Sequence, residues 1–235
     1  MPRAPSPVIR AWAKAPVPMT GETISRIMIW VDLTEEERMW NWLGHLRTIH
    51  HHKMLVMRGC FALGLYRQGL MHDLSKYSPT EFLVGARYYT GVRSPNDGER
   101  RDRGYSLAWL HHKGRNKHHF EYWIDYAIDE AQGPGMVGMK MPVNYVVESY
   151  VDRVAASKNY QKEKYRDDSA WNYYLRGRDH LVIHPRTQAL LEFMLFFLAV
   201  RGEREANAYI RRRILANRKN YDAYPDLPNF DERTG

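Results

Sequence analysis

Residues 70–82 read LMHDLSKYSPTEF, and this stretch decides how the rest of the chain is interpreted. Within it, His72 and Asp73 are adjacent, in a segment that the surrounding apolar residues predict to be buried. An imidazole beside a carboxylate offers a divalent metal two ligands from consecutive positions, provided that other ligands converge from elsewhere in the chain. The stretch therefore predicts a metal site whose remaining ligands have to be found.

Histidine is concentrated in one part of the chain. Nine of the eleven histidines lie between His45 and His119. Most of them occur in clusters, namely His50-His51-His52, His72, His111-His112 and His118-His119. A purely structural helical domain has no need for such clustering, so this region supplies the candidate ligands.

Length and composition favour one globular domain. The chain has 235 residues, of which 44% are hydrophobic, and this is enough for a sizeable core. The single cysteine, Cys60, excludes a disulfide framework and favours a reducing compartment. The longest apolar run, in residues 190–200, is too short for a bilayer and contains a glutamate, so we expect a cytoplasmic protein without membrane contact.

Three segments are predicted along the chain. Residues 1–33 are expected to form a flexible basic arm, because five prolines fall within the first eighteen positions and no signal-like apolar run is present. Residues 34–219 are expected to form a single helical domain, and residues 220–235 an irregular tail. We predict an all-α helical bundle, because no stretch shows the alternation of a strand.

Helical spacing places two candidate ligands on buried faces. A capping box at Thr34 and Glu37 starts a helix that extends to about Leu63, and within it His52 shares a face with apolar residues, whereas His51 flanks it. A later helix, from residue 142, carries a buried stripe with Asp152 beside it. A carboxylate there is costly unless it is paired or bound to metal, so Asp152 becomes a candidate.

The rest of the sequence predicts the approximate limits of further turns, loops and helices. Gly64 and Gly69 are expected to bracket a turn. Residues 91–104 are expected to form a polar loop or lid. Helices are predicted over 105–112, from His118 to residue 127, and over 171–175. Residues 186–200 and 203–219 are predicted to form a C-terminal helical pair.

The order His52, His72-Asp73, a histidine cluster and Asp152 resembles the HD superfamily of metal-dependent phosphohydrolases. The doublet lies in LMHDLSK, which is similar to the LLHDxGK form of that motif, with Lys76 matching its lysine and Ser75 standing where glycine is common. More closely, residues 46–210 resemble an uncharacterised bacterial and phage family with HD-like features. The resemblance implies an HD-domain-like helical bundle.

The resemblance also implies a ligand set. His52, His72, Asp73 and Asp152 would bind one divalent ion, and Asp73 could bridge to a second. Further imidazoles would come from His111, His112, His118 or His119, with the first pair favoured; one residue of each pair could equally face solvent. One or two ions are expected, and manganese, iron, cobalt, nickel, magnesium and zinc all remain open.

Other residues receive roles in catalysis or substrate binding. Asp73 and Lys76 would act at the reacting phosphate, and a spare histidine, His118 or His119, could protonate the leaving oxygen. Lys76, Arg115 and Asn116 would contact the substrate. Three alternatives stay open: Lys76 pairs with Glu81, Arg115 is only surface, and Asn116 caps a helix. Three acids could orient ligand imidazoles, namely Glu81, Glu121 and Glu148.

Three functions follow from these residues. The first is hydrolysis of a nucleotide or another small phosphate ester, and the net charge of +8 would attract such a substrate. The second is a mixed-valence di-iron oxygenase, which some HD-fold proteins are. The third is a non-catalytic protein with a structural metal that binds nucleic acid or a partner through its basic arm and residues 211–219. The oligomeric state stays open.

Overall fold

The computed structural model describes residues 35–127 and 135–218, with side chains from residue 41 onward. The chain divides into two units after Trp40, and the packing and the site described below belong to the second, Asn41–Gly235. The predicted basic arm, the Thr34 cap and the tail beyond residue 220 lie outside the described residues. The domain boundaries therefore stay predictions.

Helices dominate the described part of the chain, which confirms the predicted all-α class. Nine α-helices occur there, in this order: α1 (Glu35–Ala62), α2 (Tyr66–Met71), α3 (Pro79–Arg87), α4 (Pro95–Arg103), α5 (Leu107–Lys113), α6 (Val143–Gln161), α7 (Ser169–Leu175), α8 (Pro185–Arg201) and α9 (Glu203–Tyr209). Short 3-10 helices cover Leu74–Tyr77, Phe120–Trp123, Lys162–Lys164, Arg178–His180 and Leu215–Asn217, and a π-helix covers Ile210–Ile214.

A small hairpin replaces part of a predicted helix. Strands β1 (Ile124–Tyr126) and β2 (Met136–Gly138) pair antiparallel, with Ile124 opposite Gly138. The prediction of a helix over residues 118–127, and of no strand, was therefore wrong. Isoleucine and tyrosine fit a pleated strand well, and Gly138 packs directly on the backbone of Ile183 and His184, where a side chain would not fit.

The core lies between α1, α6, α8 and α9. Val56 and Cys60 of α1 are fully buried, as predicted from the spacing of that helix. They pack with an apolar cluster that includes Val146, Val147, Tyr150, Met194, Leu195, Leu198 and Ala206. Helices α1 and α6 approach closely at Gly59, where an added Cβ would lie 2.6 Å from Val151 Cγ1. This close packing aligns the faces that carry His52 and Asp152.

Two stretches predicted to be irregular are helical. Residues 91–104 contain α4, whose sequence PNDGERRDR has no apolar stripe and so gave no helical signal. The helix is held instead by Glu99, which is fully buried and accepts hydrogen bonds from Ser106 Oγ at 2.6 Å and the Ala108 amide at 3.3 Å. Gly69 lies inside α2, packed against Cys60 and Phe61, so only Gly64, with φ +80°, forms the expected turn.

The C-terminal helical pair is present as predicted. Helices α8 and α9 pack against each other after a break at Gly202. The π-helix that follows exposes Arg211, Arg212 and Arg213, while Ile210 and Ile214 are buried. Among the described residues, no helix combines the length and apolar character needed to cross a membrane.

Candidate metal centre

Helices α1 and α6 bring the first candidate ligands together. His52 Nε2 lies 2.9 Å from Asp152 Oδ1, although the two residues are a hundred positions apart in sequence. Glu148 lies one turn before Asp152 on α6, so both carboxylates project from one face of that helix. Both helices therefore present acidic and imidazole groups to one buried region.

The His72-Asp73 doublet sits in a sharp turn rather than inside a helix. Helix α2 ends at Met71, and Asp73 adopts the left-handed conformation, with φ 53° and ψ 26°. Aspartate tolerates this conformation better than most residues. Lys53 of α1 fixes the turn, because its Nζ donates to the carbonyls of Leu70 at 2.9 Å and His72 at 2.8 Å. The turn lets two adjacent side chains enter the same buried region.

The carboxylate of Asp73, which is 2% exposed, is the centre of the site. Its Oδ2 lies 3.3 Å from His72 Nε2 and 3.9 Å from His52 Nε2. Its Oδ1 lies 3.3 Å from His112 Nε2 and 3.4 Å from His118 Nε2. The two oxygens of one side chain thus face two different sets of imidazoles.

Two groups of possible ligands share Asp73. In each group one ligand atom per residue lies within 4.8 Å of the others: the Oδ2 group is His52, His72, Asp73 and Asp152, and the Oδ1 group is Asp73, His112, His118 and His119. With metal–ligand bonds near 2.1 Å, neighbouring ligand atoms are expected about 3.0–3.4 Å apart. Most of the distances around Asp73 are in that range.

The hydrogen bonding of these rings also fits a metal. Among the described residues, the buried Nε2 atoms of His72 and His118 have no hydrogen-bond partner. An unpaired buried ring nitrogen is costly, and an ion between these atoms and Asp73 would remove the cost. The residues present therefore fit one ion in each group.

Two glutamates hold the imidazoles from behind. Glu148 Oε1 lies 3.0 Å from His72 Nδ1 and 3.3 Å from His118 Nδ1. Glu81 accepts from His111 Nδ1 at 2.6 Å and from His112 Nδ1 at 2.8 Å. A carboxylate that accepts a hydrogen bond from Nδ1–H keeps the proton on that nitrogen and leaves Nε2 free as a ligand. A third possible ligand group consists of His72, His118 and Glu148. We interpret Glu148 in this group as a residue that orients the two imidazoles and not as a ligand.

The charges of the site reinforce one another. Burial raises the pKa of Asp73, but His72, Lys76 and His112 outweigh it and hold the pKa well below its ordinary value. The pKa of His72 is raised well above the ordinary value, because Asp73, Asp152 and Glu148 overcome the effect of burial. His119 differs, since burial and the neighbouring His118 and His112 lower its pKa. The lowered pKa favours the neutral form of His119, in which a ring nitrogen can bind metal.

His118 and His119 both reach the site because they are not in a helix. Their ring centroids are 4.1 Å apart, and His119 has extended backbone before the 3-10 helix Phe120–Trp123. The expectation that only one ring of such a pair could face the site assumed a helix and is wrong here. His111-His112 does lie in helix α5, and only His112 enters a ligand group, whereas His111 stays outside and contacts Glu81.

The three residues predicted to contact the substrate lie in different environments. Lys76 Nζ lies 2.6 Å from Asp73 Oδ2, so its pairing is with Asp73 and not with Glu81. Arg115 is exposed, with its guanidinium near the His111 carbonyl. Asn116 is buried and donates to Ser75 Oγ and to the His112 carbonyl, both at 2.8 Å. Asn116 thus ties the loop that carries His118 and His119 to the end of α5 and does not cap the helix that follows, whose N-cap position is His119.

One supporting residue was missed by the sequence reasoning. Lys53 gave no signal, because a lysine one position after the histidine cluster looks like an ordinary surface residue. Its role depends on carbonyls seventeen and nineteen positions away. The proposed orienting role of Glu81 and Glu148 agrees with their contacts to ligand imidazoles, whereas the buried Oε2 of Glu121 has no hydrogen-bond partner among the described residues.

Comparison with known proteins gives a family and no activity. Searches of curated proteins and of solved structures found no match. A model of a family of unknown function, DUF5662, matches residues 41–196, which contain every residue of the two ligand groups. No assignment to the HD superfamily accompanies this match. The chain therefore belongs to the DUF5662 family of unknown function.

Proposed function

We propose that this protein is a metal-dependent hydrolase of phosphate esters and that the two ligand groups around Asp73 hold two divalent ions. One observation carries the proposal, namely that Oδ1 and Oδ2 of Asp73 face different imidazole sets. A carboxylate shared by two ions is typical of enzymes that clamp the attacking and leaving oxygens of a phosphoryl group. The HD-like order of the ligands along the chain agrees with this chemistry.

Bound ions would lower the pKa of a coordinated water and offset the charge on phosphoryl oxygens. Hydrolysis then forms a bond from a water oxygen to phosphorus and breaks the bond to the leaving oxygen, which departs with a proton. Lys76 contributes a fixed positive charge at this point. Asp73 outweighs burial and raises the pKa of Lys76, so this ammonium stays protonated beside the reacting group.

His118 and His119 are better suited to binding metal than to donating a proton. Both belong to the Oδ1 group, and His118 Nε2 faces Asp73. The lowered pKa of His119 also disfavours a proton-donating role near neutral pH. We therefore assign both residues as ligands, together with His112. The proposed partner is a small phosphorylated compound, such as a nucleotide, attracted by the net charge of +8.

The test combines metal analysis with hydrolysis of p-nitrophenyl phosphate. Wild-type protein purified without added metal is analysed for its elements, then assayed with manganese, cobalt, nickel, magnesium, zinc and iron(II). We expect about two ions per chain and metal-dependent release of nitrophenol. The variant His50→Gln should bind metal and hydrolyse the substrate as the wild type does, because His50 is exposed on the same helix as the proposed ligand His52. A protein that binds no metal even when it is supplied would overturn the proposal.

The composition of the two ligand groups also fits a second function. The two groups contain five imidazoles and two carboxylates, and imidazole-rich sites suit iron as well as zinc and nickel. A di-iron oxygenase is therefore the alternative. Iron retained through purification, with oxygen consumption and no phosphatase activity under any metal, would favour it over the hydrolase.

A further inference from the structure

A cleft beside the metal centre is lined by residues outside both ligand groups. Its volume is about 70 Å³, and it is open to solvent. Lys76 and Glu81 connect it to the metal centre, because Lys76 pairs with Asp73 and Glu81 accepts from His112. A substrate bound at Asp73 would therefore extend into this cleft.

The cleft combines several positive groups. Lys76 and Arg93 both line it, and Arg93 makes no ion pair with any residue that the structure describes. Ser94, Pro95 and Asn96, which also line it, are the residue before helix α4 and its first two positions. Because these residues line the cleft, the positive end of the dipole of this nine-residue helix faces it, and the Ser94 side chain does not cap the helix.

A buried histidine in the same cleft lacks a partner. His45 is 6% exposed, and its Nδ1 has no hydrogen-bond partner among the described residues. The acidic groups nearby are already engaged. Glu81 accepts from two histidines, and Asp97 of the first turn of α4 pairs with Arg101 at 3.0 Å. Among the charged residues that line the cleft, Arg93 is therefore the one without an ion-pair partner in the described part of the chain, because Lys76 pairs with Asp73 and Glu81 with two histidines.

We propose that the cleft binds a second anionic group of the substrate, through Arg93 and the start of helix α4. This inference rests on the proposed function, with the reacting phosphoryl group at Asp73 and Lys76. The substrate class is then a compound with two phosphoryl groups, such as a phosphoric anhydride or a bisphosphate. Tyr160 and Asn96 line the same cleft and offer additional hydrogen-bond donors.

Steady-state kinetics of Arg93→Gln test the inference with two substrates. Pyrophosphate carries two phosphoryl groups, whereas p-nitrophenyl phosphate carries one. The variant should raise KM for pyrophosphate about tenfold, as expected for one lost charge-assisted contact, with kcat changed less than about twofold. KM for p-nitrophenyl phosphate should change less than about twofold. Arg47→Gln, on the exposed face of α1, is the matched control and should leave both KM values unchanged.

Equal effects of Arg93→Gln on both substrates, or none on either, would overturn the cleft as a second anion site. Binding separates this failure from failure of the proposed function. Calorimetry on manganese-loaded protein uses imidodiphosphate, which resists hydrolysis, and methylphosphonate, which has one phosphorus group. If the wild type hydrolyses nothing, the proposed function fails, yet tenfold weaker imidodiphosphate binding by Arg93→Gln would still support the cleft. Unchanged binding of imidodiphosphate by that variant would overturn it.

Discussion

The two ligand groups differ in how the chain builds them. Around Oδ2 of Asp73, the residues His52, His72 and Asp152 come from segments spread over a hundred positions. Around Oδ1, the residues His112, His118 and His119 come from one stretch of eight. The first group depends on the packing of α1 against α6, whereas the second depends on local bonds such as those of Asn116. Only Asp73 belongs to both.

Their charges differ as well. The Oδ2 group has two carboxylates and two imidazoles, whereas the Oδ1 group has one carboxylate and three imidazoles. A doubly anionic set attracts a divalent cation more strongly, because each carboxylate adds a full negative charge. We therefore expect the Oδ2 group to fill first and the Oδ1 group to lose its ion first.

The largest effect is expected from Asp73→Asn. Asparagine tolerates the left-handed conformation, so the turn should survive, but neither group keeps its shared carboxylate. Hydrolysis should fall by more than about 100-fold, beyond the loss typical of residues that only support ligands. Elemental analysis should show both ions weakened. Full retention of two ions in the folded variant would contradict a shared Asp73.

Variants on each side of Asp73 should separate the groups. Asp152→Asn should remove the ion of the Oδ2 group, and His119→Gln the ion of the Oδ1 group. Each variant is expected to fall from about two ions per chain to one, with metal titration following the remaining site. A loss of both ions in His119→Gln would show that the local group does not act independently.

The supporting glutamates should have unequal effects. Glu148 contacts His72 and His118, one from each group, whereas Glu81 contacts only His112 among the ligands. Glu148→Gln should weaken both ions by about 10- to 100-fold, and Glu81→Gln only that of the Oδ1 group. Metal titration monitored by calorimetry checks this. If both variants weaken the same single ion, Glu148 does not connect the groups.

The smallest effect concerns His45, a buried histidine outside both groups. Burial, with a smaller contribution from Lys76, lowers its pKa to about 4. Unfolding below pH 6.5 therefore takes up a proton, and stability falls as pH drops from 6.5 towards 4. At pH 5 the loss should be about 2 kcal/mol. Urea unfolding of the wild type and His45→Leu at pH 7 and pH 5 checks it; equal pH dependence in both would contradict the assignment.

Prediction from sequence succeeded where periodicity carries the information. The face of α1 that buries His52 could be read from the apolar residues around it, and Asp152 stood out as an acid beside a buried stripe. It failed at α4, because a helix held by one buried glutamate has no apolar period. It also failed at His118 and His119, where the assumed helix would have separated two rings that extended backbone allows to meet.

The sequence by itself determined the helical class, the clustering of imidazoles and the doublet at His72 and Asp73. Only the tertiary structure decided that Asp73 faces two sets of imidazoles, that His112 enters the site while His111 does not, and that Glu148 touches both groups. The physical reason is distance along the chain. Periodicity fixes which face a residue occupies, but which faces meet depends on packing between helices far apart in sequence.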